Sequence, residues 1–71
     1  MGDATLFVVK AVGPHGTSWL TAPNKYGIRS LGARQSADVF QASRDADIAI
    51  AKMPHAFAKA GVDFSVESAA D

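Results

Sequence analysis

No cysteine occurs among the 71 residues, which excludes disulfide staples, zinc ribbons and thiol chemistry together. Net charge is absent too: seven Lys and Arg balance seven Asp and Glu, arguing against a general polyanion binder. No apolar run approaches the roughly 18 residues needed to cross a bilayer. Met1-Gly2-Asp3-Ala4 supplies no basic region, and Leu6 to Val9 is too short for a signal-peptide core. What is present, 48% hydrophobic and 20% charged residues, is too apolar and too balanced for intrinsic disorder. One soluble domain in a reducing cytoplasm is expected, since a domain takes roughly 100–200 residues. It sits near the lower size limit for a core that folds unaided, so the core supplies the stability alone or with help from a partner or second copy.

The zero net charge conceals a segregation. Between residues 4 and 37 the only formal charges are Lys10, Lys25, Arg29 and Arg34, a net +4. From residue 38 onward Arg44, Lys52 and Lys59 face Asp38, Asp45, Asp47, Asp63, Glu67 and Asp71, three cations against six acids and a net −3. If the halves occupy different surfaces the molecule is dipolar; if they interleave in one sheet the asymmetry cancels in space.

Residues 5–12 are β-branched and aromatic and run into Gly13-Pro14-His15-Gly16, which predicts a strand and a turn. Strand composition resumes over 17–22, so an antiparallel hairpin is expected. Pro23 and Asn24 suit the central positions of a type I turn, after which 26–31 can return as an irregular third strand. Residues 37–41 read as a short extended segment. Ala46, Ile50, Met53, Phe57 and Ala60 recur at helical spacing and predict a helix over 44–60 capped by Ser43, with Asp45 and Asp47 at its positive end and Lys59 at its negative end. Pro54 interrupts it and predicts a kink or break near 53–54, whereas Gly61 marks the stop. Residues 62–67 alternate apolar and polar, a strand with one wet face, and 68–71 read as a frayed tail. The fold expected is α+β: a small antiparallel sheet of three to four strands with one kinked or broken helix on one face, in the order β-β-(β)-α-β.

Gly13-Pro14-His15-Gly16-Thr17 lacks the Gly-Lys-Ser/Thr of a phosphate loop and precedes a strand rather than a helix, so the turn reading prevails. His15 and His55 are forty residues apart with no third ligand at zinc spacing. Ser18, His15 and an aspartate could be written as a catalytic set, but no nucleophile-elbow pattern accompanies them. The chain is accordingly read as a non-enzyme with no cofactor and no metal.

Lys10, Trp19, Lys25, Tyr26, Arg29 and Arg34 form the most distinctive local feature, with no acid between them. With Trp19 and Tyr26 outward they would offer stacking platforms and phosphate contacts for a single-stranded nucleic acid. With Trp19 in the core and the cations at solvated tips they would not, and the missing basic excess favours this second reading.

Phe7-Val8-Val9-Lys10, then Trp19-Leu20-Thr21, then Ala37-Asp38-Val39-Phe40-Gln41-Ala42-Ser43-Arg44-Asp45-Ala46 leading to Ala49-Ile50, and finally Phe64-Ser65-Val66-Glu67 form a layout that resembles short phage- and prophage-borne proteins. These include the anti-CRISPR group of host-defence inhibitors. The resemblance implies a cytoplasmic, non-enzymatic protein that occupies a surface on a larger assembly; it carries over no functional residue. Many of that group are strongly acidic, and this chain departs from them in being neutral.

The expected function is therefore an interaction module that binds and occludes a host protein or nucleoprotein complex, without a membrane. The alternatives are a small single-strand nucleic-acid binder and a homodimer or assembly subunit that pairs through an edge strand such as 5–12. Trp19, Lys25, Tyr26, Arg29 and Arg34 are the expected contact residues, as aromatics and arginines anchor interfaces. On this reading, Arg29→Glu with Arg34→Glu abolishes partner capture and leaves the fold intact.

Overall fold

The chain reverses at Pro14 and His15, and the β-rich runs on either side pair as a hairpin. The structure, a computed structural model, describes residues 6–69. Strand β1 (Phe7–Gly13) lies antiparallel to β2 (Gly16–Leu20), with Lys10 opposite Trp19 and Gly13 opposite Gly16. The predicted strand 5–12 thus shifts by a residue or two, and residue 5 lies outside the described residues. Strand β3 is only Leu31–Gly32, paired with Trp19 and Leu20, whereas β4 (Asp63–Ser68) pairs with β1 on its other side. The sheet order is β3-β2-β1-β4, all antiparallel, and the fold is α+β. Ser68 belongs to β4, and the Ala69 N–H donates to the Leu6 carbonyl at 2.7 Å, so the predicted frayed tail is ordered to residue 69; residues 70 and 71 lie outside the described part.

The third strand departs from expectation, and of the kink or break expected near 53–54 the structure has the break. Residues 26–31 contribute one paired position, Leu31, and the rest of 22–30 projects as a tight loop, described below. The helix breaks instead of bending. Helix α1 is Ser43–Ala51 and α2 is His55–Lys59, with Pro54 as the residue before α2. Proline has no N–H to offer the Ile50 carbonyl, and the Met53 N–H donates to it instead at 3.0 Å. Ser43 is the first helical residue and not the cap; Ala42 precedes it in extended conformation because Phe40, two residues earlier, is pinned to Phe7 by a pair of 2.8 Å backbone bonds.

Gly61 stops α2 as its position requires. Its φ of +86° is left-handed, the Gly61 N–H donates to the Ala58 carbonyl at 3.1 Å, and the Val62 N–H donates to the Phe57 carbonyl at 3.0 Å. A Cβ there would meet only Pro14 Cδ at 3.8 Å, so the obstacle to a side chain is conformational. Gly61→Ala is expected to cost about 1 kcal/mol and to lower the unfolding midpoint by roughly 4–8 °C, read by circular dichroism.

Phe7, Val9 and Ala11 of β1 face the helices, and Val8, Lys10 and Val12 face away. The core is Val9, Leu20, Phe40, Ala46 and Ala49, flanked by Phe7, Leu31, Ile50, Met53, Phe64 and Val66. Phe57 meets Phe64 edge to face at 6.0 Å. Ala60, which the helical spacing puts on the buried stripe, is exposed because α2 restarts after the break with only Phe57 turned to the sheet. The extended segment 37–40 enters where β1 and β2 diverge: the Asp38 N–H donates to the Leu20 carbonyl at 2.9 Å, and Thr21 bridges Ala37. Among the described residues no helix is long and apolar enough to cross a membrane.

Candidate functional site

The six basic and aromatic residues divide among three places. Lys10 and Trp19 are cross-strand neighbours on the sheet face away from the helices. Trp19 is therefore outside the core, but it is not an open platform. The Arg34 guanidinium lies 5.1 Å from its ring and donates to the Ala69 carbonyl at 3.0 Å. Trp19 stands level with Lys10, and Ala69 level with Leu6, so the arginine crosses β1 above Val8, which has no exposed surface. Lys10 is turned to Glu67 of β4 at 3.6 Å.

Arg29 points inward, to the extended segment 37–40. Its Nη1 donates to Asp38 Oδ2 at 2.7 Å and to the Thr21 carbonyl at 3.1 Å, while the guanidinium covers the Phe40 ring at 5.2 Å. These contacts overturn the expectation that charge reversal at Arg29 and Arg34 spares the fold, since both side chains tie separate segments together. The charge segregation largely cancels as well, with Lys10 and Arg29 of the basic half paired to Glu67 and Asp38 of the acidic half.

Lys25 and Tyr26 remain exposed, at the tip of the 22–30 loop. Thr21 and Ser30 close its base through a 2.9 Å backbone bond and two contacts of the Thr21 hydroxyl. At the tip the Gly27 N–H donates to the Asn24 carbonyl and the Asn24 N–H to the Ile28 carbonyl, both at 2.9 Å, with Gly27 at φ +78°. This is a type I turn closed by a left-handed glycine, with Lys25 and Tyr26 at its centre rather than Pro23 and Asn24. The Asn24 side-chain oxygen accepts from the Tyr26 and Ile28 amides at 2.8 and 3.1 Å. Asparagine at the first position and glycine at the fourth are the sequence signal for this turn.

Tyr26 is 75% exposed and Ile28 61%, the two most exposed large apolar residues described. Between this tip and the helix break lies a groove of about 220 Å³ lined by Gly27, Ile28, Arg29, Ala49, Lys52, Met53 and Pro54. Sequence reasoning gave Met53 and Pro54 to the helix and Ile28 to the irregular third strand, because no local pattern relates residue 28 to residue 53. A smaller cleft of about 140 Å³ beside the first turn has His15 and Ser18 among its walls, but no acid lines it and His15 is exposed. Among the described residues no three His, Cys, Asp or Glu side chains are grouped to hold a metal.

No protein-family model, curated protein or solved structure matches this chain.

Proposed function

We propose that the protein is a non-enzymatic interaction module that docks through the 24–28 hairpin tip and occludes a surface on a larger assembly. The observation that carries this reading is the display of Tyr26 and Ile28 in water on a backbone braced by Asn24. Bulky apolar side chains held out on a preformed turn lose little freedom on binding, which is what an interface anchor requires. The resemblance of the chain's layout to phage-borne inhibitors supports a host protein or nucleoprotein complex as the partner. The paired cations and the covered Trp19 favour a protein contact over a nucleic-acid face.

Tyr26→Ala with Ile28→Ser is expected to abolish capture of the partner from host lysate while changing stability by less than about 0.5 kcal/mol, as both side chains are mostly exposed. Undiminished capture by the doubly substituted protein would overturn the assignment. One observation favours a second reading, self-association: β4 is an outer strand paired with β1 alone among the described strands. Strand β1, expected at the edge, is central, and β4 is the longer of the two outer strands at which a copy could add. Asp63 and Glu67 on its polar face repel a like strand. Light scattering at rising concentration separates the two readings, because only self-association predicts a mass above that of one chain.

A further inference from the structure

Resting on that reading, we infer the chemistry of the partner: an acidic segment of another protein that places one bulky apolar side chain in the groove between the hairpin tip and the helix break. Ile28, Met53 and Pro54 give the groove apolar walls and Ala49 its floor. Gly27 leaves its mouth open, with nothing within 4 Å of where a Cβ would stand. The volume of about 220 Å³ suits a single leucine- or phenylalanine-sized side chain and is too small for a folded element.

The charged side chains that line the groove, Arg29 and Lys52, are both cations. Arg29 is neutralised by Asp38 at its back. Among the described residues Lys52, exposed on the rim, has no acid within ion-pair distance, Lys25 at the tip lies 5.2 Å from the Tyr26 ring, and no acid lines the groove. Asp63 and Glu67 sit on β4, at the far side of the sheet from the β2 and β3 ends that carry the hairpin; in α1, Asp45 stands about one turn before Ala49 and Asp47 precedes Lys52 by five residues, and neither lines the groove. An incoming segment with carboxylates on both sides of its apolar anchor therefore meets Lys52 at the rim, with Lys25 at the hairpin tip and Asp38 held back by Arg29.

The probe is a blocked five-residue peptide with leucine at its centre and two acids on either side, titrated into the isotope-labelled full chain and followed by NMR. Saturable shifts are expected at the Ile28 and Met53 methyl groups and the Lys52 amide. A serine-centred version should bind at least about fivefold more weakly, through loss of the apolar contact, and Lys52→Glu should weaken the leucine peptide by a similar factor. The inference is overturned by an absence of saturable shifts at these methyl groups, by equal binding of the serine peptide, or by no effect of Lys52→Glu. It also falls if single-stranded oligothymidylate moves the same resonances as strongly, which would make the groove a polyanion site. Failure here with partner capture still dependent on Tyr26 and Ile28 removes only the partner's chemistry; capture independent of those two removes the docking reading itself.

Discussion

Leu20→Ala is expected to lower the unfolding midpoint by more than 15 °C and to leave the chain marginal at room temperature. Leu20 has no exposed surface and is the largest fully buried side chain described. It ends β2 at the point where β1 and β2 diverge, and its carbonyl receives the Asp38 N–H. Of the other four core residues two are alanines, Ala46 and Ala49, which cannot reach into a vacated space, and Phe40 is held by its backbone pairing with Phe7. A cavity at this site therefore stays open, and Leu→Ala at such positions costs about 2–5 kcal/mol. A domain of this length has about 4–10 kcal/mol of stability, so the substitution removes roughly a fifth of it at the least and about half at the middle of both ranges. With roughly 4–8 °C lost per kcal/mol in a domain of this size, a fall of under about 5 °C in a thermal melt would show that the core is not centred on Leu20.

Arg29→Ala carries the second large effect, and it matters because arginine on an exposed loop invites a binding interpretation. The side chains of Arg29 and Asp38 are only 21% and 27% exposed. Removing the guanidinium strips the carboxylate and the Thr21 carbonyl of a donor and uncovers the Phe40 ring. Leaving a half-buried charged group without its partner costs about 1.5–3 kcal/mol. Arg29→Lys should recover part of this, since an ammonium can replace the single nitrogen that donates to Asp38 and Thr21 but not the planar guanidinium that covers the Phe40 ring. Arg29→Glu should be worse than alanine, with two carboxylates facing each other. A double-mutant cycle with Asp38→Asn is expected to give a coupling near 1 kcal/mol or more; a value near zero, with Arg29→Ala within about 0.5 kcal/mol of the parent, would reduce the pair to an ordinary surface salt bridge. Loss of partner capture in an Arg29 variant would report unfolding, which is why Tyr26 and Ile28 are the informative positions.

Local conformational preference made much of the backbone legible. The turn at Pro14 and His15, the break at Pro54, the stop at Gly61 and the alternation of β4 each depend on residues within one or two turns of each other. Asn24 and Gly27 belong with them, although the turn they make is two residues later than Pro23 suggests. Residues 37–40 were legible as extended but not as a wedge between β1 and β2, because their partners Phe7, Leu20 and Thr21 lie far away in the chain.

The contact residues were the least legible. Trp19, Lys25, Tyr26, Arg29 and Arg34 share a composition, and composition does not say which way a side chain turns. By itself the sequence determined the fold class, the positions of the reversals and the two helical pieces, since dihedral preference, missing amides and apolar periodicity act over a few residues. Only the tertiary structure decided that Arg34 crosses the sheet, that Arg29 turns in to Asp38, and that Ile28 faces Met53 and Pro54 across a groove. Charge pairing and groove formation depend on which distant segments the sheet order brings together, and no local signal carries that order.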